Sequence, residues 1–150
     1  MREVMTTTMA RNIFYGGSLF FILIFLGLSV HSYLFVVNTS TAALPLTDSV
    51  ARGKLVWEEN ACINCHTLFG EGAYFAPEVG NVMTRWGVAD KPDDAFMTLK
   101  TWIEAQPSNV PGRRQMPRFY LTDDQIRDLS NFLLWANKTN LQGWPPKDSG

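Results

Sequence analysis

The sequence predicts an all-α protein, with one N-terminal transmembrane helix followed by one small helical domain. Three observations predict this class. Residues 14–37 form an apolar run without a single Asp, Glu, Lys or Arg. Three later segments each combine a helix-start signal with apolar residues at helical spacing. The stretches between them read as loops, with no internal repeat and no low-complexity tract.

Taken in order, residues 1–13 form a short basic N-terminus carrying Arg2 and Arg11. The run from Phe14 to Val37 follows, and as a helix it spans about 36 Å, enough for a hydrocarbon core roughly 30 Å thick. A cleaved secretory signal is the alternative, and Thr41-Ala42-Ala43 faintly resembles a cleavage site. Signal cores are only about 7–15 residues long, so an uncleaved anchor is expected. Basic residues precede the span, and the next one is Arg52. The positive-inside rule therefore puts the N-terminus in the cytoplasm and the bulk of the chain outside, in the periplasm of a bacterium. Gly17, Ile24, Gly27 and His31 share one face of this helix, a small or polar face. His31 either meets a partner helix or reaches the outer headgroups.

Residues 38–47 lack apolar periodicity and form a linker with Pro45. Residues 48–150 are enough for one small domain but not two. Setting aside Arg2, Arg11 and Glu3 leaves 11 basic and 13 acidic residues beyond the span, a net charge of −2. That balance, without a basic patch, argues against nucleic acid as a partner.

Thr47 or Asp48 can cap the first helix of the domain, which carries Val50, Gly53, Leu55, Val56 and Trp57 and ends near Asn60. Pro92-Asp93-Asp94 opens a second helix with Phe96, Leu99 and Ile103 on one face. It must stop before Pro107. Thr122-Asp123-Asp124-Gln125 is a capping box for a third helix, where Ile126, Leu129, Phe132 and Leu133 make an apolar stripe. Trp144-Pro145-Pro146 ends regular structure.

Between the first two helices lie the only two cysteines, in Cys62-Ile63-Asn64-Cys65-His66. Two thiols three residues apart, followed by a histidine, are the attachment signature of a c-type haem. The thiols add to the porphyrin vinyl groups and the histidine ligates iron. A thioredoxin-like dithiol needs no histidine and expects a βαβ context, and a zinc site needs four ligands. One covalently bound haem c is the expected cofactor, and it would fill much of the core.

This order of elements resembles the class I cytochrome c fold. The resemblance implies that a glycine on the first helix meets an aromatic or aliphatic pair on the last. Gly53 and Trp57 match the first-helix positions, and Leu129 and Phe132 match the last. It also implies a methionine as sixth iron ligand, in a loop before the last helix. Met116, in Arg113-Arg114-Gln115-Met116-Pro117-Arg118, has that position, whereas Met83 and Met97 read more simply as core residues. His/Met ligation saturates the iron, favours the reduced state and raises the potential. Such a site carries electrons and offers no open position to a substrate.

One longer stretch narrows the resemblance. Cys65-His66-Thr67-Leu68-Phe69-Gly70-Glu71-Gly72-Ala73-Tyr74-Phe75-Ala76-Pro77-Glu78, followed by Gly80-Asn81-Val82, resembles the small cytochrome c subunit of bacterial nitric oxide reductases. The similarity extends to the anchor, the Arg-rich Met-Pro loop and the length. It implies a heterodimer with a large polytopic haem b subunit that reduces nitric oxide to nitrous oxide. This chain would be the non-catalytic electron carrier of that complex, in the inner membrane. Its donor would be a periplasmic cytochrome c or a small copper protein. The resemblance further implies an interface calcium, with the backbone carbonyls of Gly72 and Tyr74 as this chain's share. A plain glycine turn without metal is the alternative.

Arg113, Arg114 and Arg118 could pair with a haem propionate or form a solvated docking face. Glu58, Glu59, Glu71 and Glu78 could steer a basic donor or simply be scattered surface carboxylates. A free-standing membrane-anchored cytochrome c shuttle would share the anchor, the haem and its ligands. The Gly-Glu-Gly-Ala-Tyr-Phe-Ala-Pro loop is what such a shuttle has no evident reason to carry.

Overall fold

A computed structural model describes residues 5–41 and 44–144. The chain divides into two compact units, residues 1–42 and 43–150. Ala42 and Ala43 of the cleavage-like site, and the Pro145-Pro146 tail, lie outside the described residues.

The first unit is one helix. Helix α1, Thr7–Phe35, starts where the Thr6 side chain accepts a hydrogen bond from the Met9 N–H, a conventional N-cap. It starts earlier than the uncharged run at Phe14, because the cap and not the apolar content decides where the turn begins. At its far end the chain widens into a π-helical turn, Val36–Ser40. There Asn38 Nδ2 donates to Leu34 O at 2.9 Å, and the Thr41 N–H and hydroxyl both donate to Val36 O. Thr7–Ser40 is long and apolar enough to cross a membrane. No residue of α1 is buried, and a helix apolar on all sides needs an apolar medium to cover it.

The second unit is helical, as the capping signals predict. Helix α2, Asp48–Glu59, is capped by the Thr47 side chain, which accepts from Val50 N–H. A one-turn helix α3, Val82–Arg85, lies outside the sequence expectation. Its Val82 and Met83 join the core, and Met83 is fully buried. Helix α4, Pro92–Glu104, has proline in its first turn and buries Ala95, Phe96, Leu99 and Ile103. Helix α5, Asp123–Lys138, begins with both arms of the capping box in place: Gln125 N–H donates to Thr122 Oγ1, and Gln125 Oε1 accepts from Thr122 N–H. Leu129, Phe132 and Leu133 are buried on its inner face.

A second small element also departs from the expectation. Residues 67–72, read as loop, form an antiparallel ladder of β1, Thr67–Leu68, with β2, Glu71–Gly72. The turn between them uses positive φ at Phe69 (59°) and Gly70 (82°), the backbone pair that a tight two-residue hairpin requires.

The tightest contact is α2 across α5. A Cβ at Gly53 would lie 2.0 Å from the Asp128 carbonyl oxygen and 2.7 Å from Phe132 Cβ. No side chain fits there. Beside that contact, Asp128 accepts from Ser49 Oγ (2.5 Å), Arg52 Nε (2.7 Å) and Arg52 Nη2 (3.0 Å), and Asn131 Nδ2 donates to Ser49 Oγ. The hydrogen bond from Arg52 holds the Asp128 carboxyl below the usual carboxylate range, with a further hydrogen bond from Ser49. No local pattern announces this polar seam, since residues 79 positions apart meet only in the fold.

Candidate haem-binding site

The Cys62–His66 segment is built as a tight turn. Ala61 takes a left-handed conformation (φ 51°), which stops α2 and starts a 3-10 turn over Cys62–Asn64. Cys62 O then accepts from both Cys65 N–H (3.1 Å) and His66 N–H (2.9 Å). Burial pushes the Cys62 thiol up to about 11.

The loop that follows folds back on the same turn. Ala76 N–H donates to Cys65 O at 2.7 Å, Ala73 N–H to Ile63 O at 3.0 Å, and Val79 N–H to Thr67 O at 2.9 Å. His66 Nδ1 lies 2.8 Å from Pro77 O. A carbonyl can only accept, so Nδ1 carries the proton and, in the neutral ring, Nε2 keeps its lone pair for a metal. The Trp57 ring flanks this imidazole, with centroids 6.3 Å apart.

Under the hairpin sits Glu78, and here the structure corrects the sequence reading. Glu78 is buried, not a surface carboxylate. It accepts from the N–H groups of Phe69, Gly70 and Gly80 at 3.0, 3.0 and 2.7 Å. Burial on its own raises its pKa. The hydrogen bonds from Gly70, Gly80, Thr67 and Phe69 outweigh that, and the net shift is downward. The Arg85 guanidinium donates to the Glu78 backbone carbonyl. Glu58, Glu59 and Glu71 are exposed, and Glu58 pairs with Lys54.

A cavity of about 670 Å³ opens beside these elements, within the roughly 300–1,000 Å³ typical of cofactor sites. Its wall brings together Cys62, Cys65, His66, Met116 and Tyr74. Of the three methionines considered, only Met116 lines it. Met83 is core, and Met97 is exposed on α4. Met116 is half-buried against the core cluster, two residues after Arg114 and directly before Pro117. Arg113 and Arg114 also line the cavity, whereas Arg118 stacks on Tyr120 outside it. Gly72 is not in the wall. It sits on the exposed side of the hairpin with φ 123°, and Tyr74 is 72% exposed with its hydroxyl donating to Gly70 O. Phe75, Trp102, Gln106 and Phe119 also line the wall, and the sequence gives none of them a role at the site. Phe75 stands in the extended motif, but nothing local marks the other three.

These residues fit a c-type haem. Two thiols stand on one side of a largely apolar cavity, an imidazole with a free Nε2 lines it, and a thioether from a distant loop lines it too. Among the described residues, no group of three or more His, Cys, Asp or Glu side chains could hold a metal ion by itself.

The comparisons with known proteins agree. The family described as Cytochrome c matches residues 50–137. The chain is 61% identical to the nitric oxide reductase C subunit of Paracoccus denitrificans over 150 residues, covering both chains completely. It is 63% identical to the corresponding protein of Cereibacter sphaeroides and 50% identical to that of Halomonas halodenitrificans, again over the full length of each. The chain therefore belongs to the cytochrome c family and, within it, to the family of nitric oxide reductase C subunits.

Proposed function

We propose that this chain is the electron-transfer subunit of a nitric oxide reductase. It takes electrons one at a time from a periplasmic cytochrome c or small copper protein. It passes them to the b haem of a large polytopic catalytic subunit, which reduces nitric oxide to nitrous oxide. The observation that carries this reading is one cavity whose wall holds Cys62, Cys65, His66 and Met116 together. A haem c bound there supplies reversible one-electron chemistry at iron. The protein's part is to hold and shield it. Cys62 and Cys65 would anchor the ring through thioethers. His66 would supply Nε2 to the iron, its ring fixed by the Nδ1–H bond to Pro77 O. Met116, in a loop stiffened by Pro117, would supply a thioether ligand. With His66 and Met116 both committed to the iron, the chain would leave it no open position for a small substrate, and the site would pass electrons alone.

The anchor reading rests on the apolar helix Thr7–Ser40. Arg2 and Arg11, both before the uncharged run that begins at Phe14, support a cytoplasmic N-terminus and a periplasmic haem domain in the inner membrane. The backbone carbonyls of Gly72 and Tyr74 would be this chain's contribution to an interface calcium. Oxygen ligands suit that ion, and six to eight are needed, so the partner must provide most of them. Purifying the native complex and identifying its subunits and haems tests the proposal. A polytopic haem b protein should accompany the chain in equal amount. A chain that purifies alone, still membrane-bound and fully loaded with haem, would point to a free-standing shuttle.

A further inference from the structure

We propose that Arg114 is a positioning residue for the sixth iron ligand, a strap that holds the Met116 loop to the His66 side of the cavity. The inference rests on the reading of Met116 as that ligand. Arg114 donates from Nη1 to Phe75 O, across 39 residues of sequence, and its guanidinium lies 4.8 Å over the Phe75 ring. The segment it grips is itself bonded to the haem-attachment turn: Ala76 N–H donates to Cys65 O, and Pro77 O accepts from His66 Nδ1. Arg114 thus joins the loop that carries Met116 to the segment that holds His66, and Met116 is only two residues away.

The rest of the methionine loop explains why one contact can matter this much. Gln115 ties the loop to itself, accepting at Oε1 from Ser108 Oγ and Asn109 N–H and donating from Nε2 to Val110 O and Arg113 O. Those bonds shape the loop but do not fasten it to the other wall. Besides the packing of Met116 and Phe119 on the core, the guanidinium fastens it there, offering a planar donor set and a stacking face at once, where a lysine offers neither. Without the strap, the closed loop should swing away as a unit, and Met116 should yield more readily to an outside ligand.

Imidazole titration of the ferric full-length holoprotein in detergent, followed by loss of the sulfur–iron band, measures this directly. Arg114→Ala should bind imidazole about tenfold more tightly than wild type, the size of effect expected when a contact of about 1.4 kcal/mol is lost. Arg118→Ala removes the same charge nearby without touching Phe75, and should match wild type. Wild-type imidazole affinity in Arg114→Ala, or an equal gain in Arg118→Ala, overturns the strap. If Arg114→Ala does not assemble, Phe75→Leu decides, because it keeps the carbonyl and removes the stacking face. It should tighten imidazole binding by about threefold, and unchanged affinity overturns the proposal. If Met116→Ala retains the wild-type sulfur–iron band, the ligand assignment has failed instead, and the strap falls with it.

Discussion

Gly53 of α2 packs so closely on α5 that a methyl group in its place would lie 2.0 Å from the Asp128 carbonyl oxygen. The obstacle is backbone, with Phe132 Cβ 2.7 Å away on the same side, so relief requires the two helices to separate. Gly53→Ala should therefore destabilise the domain by about 3 kcal/mol, since overpacking of this kind costs roughly 1–3 kcal/mol or more. The helix-propensity gain of about 1 kcal/mol offsets only part of that. Denaturant unfolding of the holoprotein checks it, and unchanged stability would mean that the helices are not in this register.

The Asp128 seam predicts an acid dependence. Its folded pKa lies below the ordinary 3.8, chiefly through the hydrogen bond from Arg52. A carboxyl with a depressed folded pKa contributes stability that is present above its unfolded pKa and lost as pH falls through the folded value. Asp128→Asn should lower the melting temperature by a few degrees at pH 7. The gap from wild type should narrow below about pH 3.8. Melting curves between pH 3 and 7 test this, and a gap that is constant across that range would contradict it.

Glu78→Gln should loosen the hairpin while leaving the iron ligands in place. The buried carboxylate accepts from three backbone N–H groups. An amide brings its own donors against them, and losing bonds to a charged acceptor costs about 2–3 kcal/mol. Amide exchange at Phe69, Gly70 and Gly80 should accelerate together, with the haem absorption spectrum unchanged. Exchange rates equal to wild type would show that the turn holds without Glu78.

Met116→Ala should still carry covalent haem but lose the sulfur–iron absorption band and fall in potential. Met83→Leu and Met97→Leu should keep the band, because one of these methionines is core and the other is exposed on α4. A band that survives Met116→Ala but disappears in either of the others would move the ligand assignment.

Much of this arrangement is legible in the chain itself. Thr47 and the Thr122–Gln125 box mark helix starts because they act on their own first turns. Spacing marks Gly53, Leu129 and Phe132 only as core positions; that Gly53 meets the last helix is what the cytochrome c resemblance implies, and the Gly53–Phe132 approach agrees with it. Met116 is singled out among the methionines by the cytochrome c resemblance, which implies a ligand in the loop before the last helix, and the flanking prolines agree with a loop there. Glu78 is different: a glutamate reads as surface until the N–H groups of Phe69, Gly70 and Gly80 are known to converge on it. The ladder at 67–72 escapes notice for a related reason. Its strands are two residues each, too short for any alternation to register. The Asp128 seam and the grip of Arg114 on Phe75 join distant positions, and no local pattern encodes such pairs.

The central claim is that electrons reach the catalytic subunit through the site held by Cys62, Cys65, His66 and Met116. Rapid mixing of the purified complex with reduced donor, followed at the separate absorption bands of haem c and haem b, tests it most directly. In wild type, haem c should be reduced first and haem b should follow. In the complex carrying Met116→Ala, both phases should slow together and nitric oxide turnover should fall with them, while an artificial reductant acting directly on haem b restores turnover. Reduction of haem b by the donor at the wild-type rate in that variant would contradict the account.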